Sequence, residues 1–181
     1  MGPSGSGKDS IMKWVMLHKG PELPLRWARR CVTRQTNDQD GSDQFISNGE
    51  FEYTLAQNSM AMHWAAHEIR YGIKKIELES NREDELVLIN GSRAYFSQAI
   101  TLYPHLRAIH VSASHETLKR RLLSRARESE HAIANRLLRS ELVEQFERVE
   151  HESVFRIENN GELEQSARLV LNHLMEIVAD Q

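Results

Sequence analysis

Residues 2–10 read Gly-Pro-Ser-Gly-Ser-Gly-Lys-Asp-Ser. The spacing is G-x-x-x-x-G-K: Gly2, Gly7 and Lys8 hold the fixed positions, with Pro3, Ser4, Gly5 and Ser6 between them. Glycines let a backbone curl until several N–H groups face one point, which suits phosphate oxygens. Lys8 is then placed to reach the β and γ phosphates of a nucleotide. A helical pattern over 10–18 follows at once and turns its positive end toward the same anion. A flexible Gly/Ser-rich terminus would account for neither the spaced glycines nor the lysine.

Two features of the stretch depart from the usual pattern. Asp9 stands where a Ser or Thr hydroxyl normally ligates Mg²⁺. A carboxylate is also a hard oxygen ligand. The apolar run at 86–90 ends in Asn90, where many related sites place an acid for the same metal. The pair suggests a relocation of the acid, with Asp9 as the metal ligand. The alternative leaves that role to Ser10 or a water and lets Asp9 cap the helix. The second departure is position. A buried strand normally feeds such a loop, and only Met1 precedes Gly2. Either Met1 is an internal methionine of a longer protein, or the first strand is missing and the loop poorly anchored. In the latter case about six upstream residues, a typical strand, should improve stability and ATP binding.

Composition bounds the rest. The 181 residues are 40% hydrophobic and 27% charged, with a net charge of −3, which suits one globular domain. Nothing in that balance calls for nucleic acid or an anionic membrane as partner. Cys31 is the single cysteine, and no apolar run is long enough for a membrane span or a signal peptide. A cytoplasmic location is the default expectation. Strand-like segments at 27–34, 60–66, 70–73, 86–90, 106–111 and 154–157 alternate with helix-like ones at 50–58, 93–102, 116–127 and 130–150. A last helix carries Leu163, Ala167, Val170, Leu171, Leu174, Ile177 and Val178 on one stripe. Asn159-Asn160-Gly161 before it reads as a turn with a cap. The run at 86–90 reads as a buried parallel strand. The second half therefore predicts an α/β layered sheet, and residues 35–80 read as an insertion beside it.

The region 119–150 is rich in arginine, including Arg120, Arg121, Arg125, Arg127, Arg136 and Arg139. A solvated, salt-bridged helix face is the ordinary reading of any one of them. Beside a phosphate loop the cluster reads as a lid whose guanidinium groups neutralise a transferring phosphoryl group.

Taken together, "GPSGSGKDS", "RRCVTR", "MHWAAHEIRYGI", "VLINGSRAYF" and "RLLSRARES" resemble the guanylate-kinase-like branch of the P-loop kinases. Within it the chain is most similar to the ribose 1,5-bisphosphate phosphokinase family. Asp9 and Asn90 are among the features that set this family apart from guanylate kinases. The resemblance implies a three-layer α/β P-loop fold with a parallel sheet. It implies phosphoryl transfer from ATP, with Mg²⁺, to the 1-phosphate of ribose 1,5-bisphosphate, giving 5-phosphoribosyl 1-diphosphate. Gly2 to Ser10 would hold the nucleotide, and Lys8, Arg121, Arg125 and Arg136 the transferring group. Arg34 and Tyr71-Gly72 match the acceptor site, with Arg30, Arg70 and Lys74 as further cations. The resemblance also allows a homodimer.

Departures and competing readings sharpen this. Glu68 and Ala126 stand where glycines are expected. The segment "MAMHWAAH" lacks an acid that could read guanine, and "TRQTND" replaces the "TR-x-P-R" continuation. Both weigh against guanine recognition. Trp64 is a candidate for packing beside the sugar, with a core position as the alternative. His63 and His67 are too isolated on an extended segment for a metal pair. Met60 and Met62 read as core, and Cys31 as inert. The acids at 77, 79 and 83–85 read as a solvated turn. A guanylate or nucleoside monophosphate kinase, and a non-catalytic binding module, are the alternatives in function. Lys8 and the arginine lid favour an enzyme over the module.

Overall fold

The computed structural model describes residues 1–35, 41–66, 68–79, 85–124 and 153–180. In chain order its elements are α1 (Lys8–His18), β1 (Leu25–Trp27), β2 (Arg30–Val32), β3 (Asp43–Phe45) and α2 (Asn48–Ala56). They continue as β4 (Met60–Ala66), β5 (Ile69–Lys74), β6 (Leu86–Leu88), α3 (Phe96–Leu102) and β7 (Ala108–Ser112). Last come α4 (His115–Ser124), β8 (Val154–Glu158) and α5 (Leu163–Ala179). The chain divides into two units, one of Met1–His18 with Gly91–Ala179 and one of Lys19–Asn90.

In the first unit β7 and β8 pair in parallel, from Ala108 opposite Val154 to Ser112 opposite Glu158. The helical stripe anticipated for α5 is the face that turns inward: Ala167, Val170 and Leu174 are buried. They pack along α1, whose Ile11, Met12 and Val15 are buried in turn. Arg168 crosses from α5 to lie over the Trp14 ring. A smaller cluster of Ala113, Leu118 and Leu122 closes the end of α4. Met1 is tied to β7 by two backbone bonds, its nitrogen to Ile109 O at 2.7 Å and its carbonyl from Val111 N–H at 2.9 Å.

The second unit holds a parallel pair of β1 with β6 and a four-stranded sheet in the order β3-β2-β5-β4. The strand expected over 27–34 is in fact two strands in different sheets. Between them the Arg29 N–H donates to Glu77 Oε2 instead of to a neighbouring strand, which ends the ladder. The β6 run is parallel as expected but only half-buried, because among the described residues it pairs on one side alone. α2 begins earlier than its periodicity suggests. Ser47 and Glu50 form a reciprocal capping box that satisfies two backbone N–H groups at its start. Its Phe51 packs with Cys31, Ile46 and Met60 on one face of the sheet. α3 starts at Phe96 rather than at 93, since Arg93 to Tyr95 form a turn closed by Phe96 N–H on Arg93 O. The helix expected over 130–150 lies outside the described residues.

Two positions give stability tests. The β4–β5 hairpin closes at Ala66 opposite Ile69, and Glu68 lies in the tight connection just before Ile69. Glu68 has φ +62° there. A left-handed L-residue with a Cβ costs about 1 kcal/mol, which is why glycine or asparagine fills such turns. Glu68→Gly is expected to raise stability by about 0.5–1 kcal/mol in urea unfolding. A lower midpoint would show the turn to be unstrained. The other position is His110 on β7, whose Nε2 is buried with no hydrogen-bond partner. Burial first, then the charges of Arg93, the Met1 amino group, Arg156 and Lys8, lowers its pKa from 6.5 to about 4. The unfolded chain thus binds this proton first, and stability falls as pH falls from 6.5 toward 4. Urea midpoints measured at both ends of that window are expected to converge in His110→Gln relative to the unaltered chain. An equal acid loss in both proteins would remove His110 as its source.

Candidate functional site

The first unit builds a concave loop at residues 2–8. Gly2, Gly5 and Gly7 have φ of +148°, +90° and +91°, conformations in which only glycine is unstrained. Space imposes the same choice. A Cβ on Gly2 would lie 2.0 Å from the Val111 carbonyl oxygen, and one on Gly7 2.4 Å from Asn159 Nδ2. Gly5 rests on Leu118 and Leu122 of α4. The chain turns back through Ser6 N–H on Pro3 O at 3.3 Å, and α1 begins with Ile11 N–H on Gly7 O at 2.9 Å. Lys8 Nζ folds over the loop onto Pro3 O at 3.1 Å. The helix thus starts at Lys8, two residues before the expected start, and its first turn carries Asp9.

The charged groups around this loop fit a polyphosphate. Arg121, on the face of α4 that meets the loop, places Nη1 3.5 Å from Gly5 O and 3.4 Å from Ser6 O. Lys8 and Arg121 are therefore brought to the same loop, while Asp9 and Ser10 are exposed on the first turn of α1. Among the described residues no three His, Cys, Asp or Glu side chains converge on a common point. A hard cation bound largely through phosphate oxygens and water needs at most one or two carboxylates, so the donor set of Asp9 and Ser10 fits Mg²⁺. Arg125 and Arg136 lie outside the described residues.

The second unit holds the other expected residues. Trp64 and Tyr71 are cross-strand partners on β4 and β5. Their rings stack nearly parallel with centroids 5.7 Å apart. Arg30 lies over the Tyr71 ring, 4.9 Å from its centroid. Strand alternation sends Gly72 to the opposite face. There it is buried, and a Cβ on it would lie 2.8 Å from Met60 Sδ and 3.4 Å from Phe51. Its bare backbone makes room for that core. Arg34 follows β2 and is exposed. Arg30 forks onto both Asp43 oxygens at 2.9 Å. Arg70 pairs with Glu52 at 2.6 Å and covers the Phe51 ring. Both guanidinium groups thus have structural partners. His63 is exposed on β4, and His67 lies outside the described residues. Cys31 is buried, which raises its pKa and keeps the thiol protonated.

Asn159 was not singled out from the sequence. Its side-chain amide donates to Ser6 O at 2.8 Å from 153 residues away in the chain. The Asn159-Asn160-Gly161 turn was legible, but no local pattern links it to the loop.

Comparison with known proteins agrees with this geometry. The guanylate kinase family matches residues 1–177. The ribose 1,5-bisphosphate phosphokinase of Desulfomicrobium baculatum is 33% identical over 177 residues, covering 97% of this chain and 92% of that one. Its namesake from Brucella melitensis biotype 2 is 34% identical over 181 residues, with 98% and 90% covered. A third, from Janthinobacterium sp. (strain Marseille), is 34% identical over 96% of this chain, which spans 38% of that longer protein. The crystal structure of guanylate kinase from Anaplasma phagocytophilum superposes with a TM-score of 0.70 at 19% identity, covering 97% of this chain and 83% of that one. The last likeness is one of fold. The chain accordingly belongs to the guanylate kinase family of P-loop phosphotransferases, in the branch whose members are named ribose 1,5-bisphosphate phosphokinase.

Proposed function

We propose that this chain transfers the γ-phosphoryl group of ATP to the 1-phosphate of ribose 1,5-bisphosphate, yielding 5-phosphoribosyl 1-diphosphate and ADP. The observation that carries the reading is the loop at residues 2–8. Its glycines take a shape no other residue fits, and it has Lys8 and Arg121 beside it. The acceptor follows from the name shared by relatives that align over most of this chain.

In this reading one P–O bond to the β phosphate breaks and one to the acceptor phosphate oxygen forms. The acceptor phosphate is already largely ionised near neutral pH, its second pKa being about 6. The step therefore needs no strong general base. It needs positioning and cations. Lys8 leaves Pro3 O for the β and γ phosphates, and Arg121 leaves the loop carbonyls for the transferring group, joined by Arg125 and Arg136 from the lid region 119–150. Arg34 holds an acceptor phosphate, and Tyr71, with Trp64 stacked on it, lines the sugar within the acceptor-binding insertion 35–80. Gly72 keeps that strand close to its core. Asp9 would hold Mg²⁺, with Ser10 as the alternative ligand, and the metal when bound would neutralise phosphate charge.

Two experiments test this. ADP release is measured with ribose 1,5-bisphosphate and with GMP as acceptors, and the sugar bisphosphate is expected to turn over faster. Faster turnover with GMP would replace the acceptor by a nucleotide, and no turnover with either would favour the binding module. In Asp9→Ser the Mg²⁺ concentration needed for half-maximal turnover is expected to rise about 10-fold or more. An unchanged Mg²⁺ dependence would remove Asp9 from the metal.

A further inference from the structure

Asn159 lies between β8 and α5 and is 1% exposed. Its backbone N–H donates to Ser112 O at 2.8 Å, which fixes it to the end of β7. Its side-chain Nδ2 donates to Ser6 O at 2.8 Å, and its Oδ1 is buried with no hydrogen-bond partner. Arg121 Nη1 approaches the same Ser6 oxygen from the other element at 3.4 Å. A trans peptide carries its C=O and the following N–H on opposite sides, and the described chain has no cis peptide. Drawing Ser6 O toward Asn159 therefore turns the Gly7 N–H the opposite way, away from the β8–α5 turn. Gly7 completes the fit: at φ +91° a Cβ on it would collide with the same Asn159 Nδ2.

The unpaired Oδ1 costs free energy, while the Nδ2 of the same amide fixes the direction of a single peptide by holding Ser6 O. We propose that Asn159 is the positioning residue of the phosphate loop, orienting the Ser6–Gly7 peptide so that the Gly7 N–H is presented to the nucleotide phosphates. This rests on the nucleotide half of the proposed function and not on the acceptor.

Asn159→Asp keeps the shape but sets a carboxylate oxygen against Ser6 O. Asn159→Ala removes the donor without adding charge, and Asn159→Ser restores a short one. ADP affinity is measured by calorimetry with Mg²⁺, without acceptor, at a temperature where urea midpoints show each protein fully folded. Asn159→Asp and Asn159→Ala are expected to weaken ADP binding about 10-fold or more, with Asn159→Ser falling between Ala and Asn. In turnover, the acceptor KM is expected to stay within about two-fold. If Asn159→Asp does not fold, Asn159→Ala and Asn159→Ser carry the comparison. Folded variants that bind ADP like the unaltered chain would overturn the proposal, as would a loss of stability with no loss of affinity. Because ADP binding is read without acceptor, a wrong acceptor assignment leaves this result standing. An unaltered chain that binds no ADP would sink both.

Discussion

A loop that holds an anion with its N–H groups must send its carbonyls outward, and each of those must find a donor or water. Around residues 2–8 the donors come from four places. Pro3 O takes Ser6 N–H and Lys8 Nζ, Gly7 O takes the first helical bond of α1, and Ser6 O takes Asn159 with Arg121 near by. The remainder of the first unit follows from that requirement. α4 must run beside the loop to bring Arg121, so Leu118 and Leu122 form the apolar seat under Gly5. The β7–β8 pair must end where Ser112 O meets Asn159 N–H. The α1–α5 packing holds the helix whose start closes the loop. Lys8 and Arg121 add positive charge to that ring of donors, meeting the carbonyls of Pro3, Gly5 and Ser6.

The second unit is held by charge as much as by apolar contact. The Arg30–Asp43 fork joins adjacent strands with side-chain exposures of 16% and 14%. Removal of either side chain would break that fork and weaken the joint between β2 and β3. Arg26 plays the same part further along, reaching Glu85 with Nε and the Glu77 and Glu79 carbonyls with its two terminal nitrogens. Arginines so engaged do not serve a substrate without loosening the sheet. That consideration favours Arg34, exposed beyond β2, over Arg30 and Arg70 as the acceptor cation.

What was legible in the sequence is what is encoded locally. The glycine spacing of the loop, the apolar stripe of α5 and the alternation of β4 each depend on neighbours within a few residues. The excess glycine demand at Glu68 was legible too, through resemblance, and φ +62° gives its cause. The rest depended on distant partners. The break between β1 and β2 is made by Glu77, the half-burial of β6 by its one-sided pairing among the described residues, and the pinning of Ser6 by Asn159. No window of sequence contains both members of any of these pairs. The Ser47–Glu50 capping box is the exception, since its S-x-x-E spacing stood in plain view and would have moved the start of α2 to its observed place.

Asp9 illustrates how one residue can serve two causes that differ in what they depend on. A carboxylate in the first turn of α1 stabilises the helix by about 0.3–1 kcal/mol through the helix dipole, with no ligand present. It is exposed, so the fold does not need a metal to tolerate its charge. Once a triphosphate occupies the loop the balance reverses, because carboxylate and phosphate repel unless a divalent cation lies between them. A capping aspartate would thus oppose nucleotide binding at every Mg²⁺ concentration, whereas a ligating one opposes it only when Mg²⁺ is absent. The hydroxyl that usually occupies this place carries no such penalty. If Asp9 ligates the metal as proposed, its replacement of that hydroxyl would make the loop more selective for the metal-bound nucleotide over the free one.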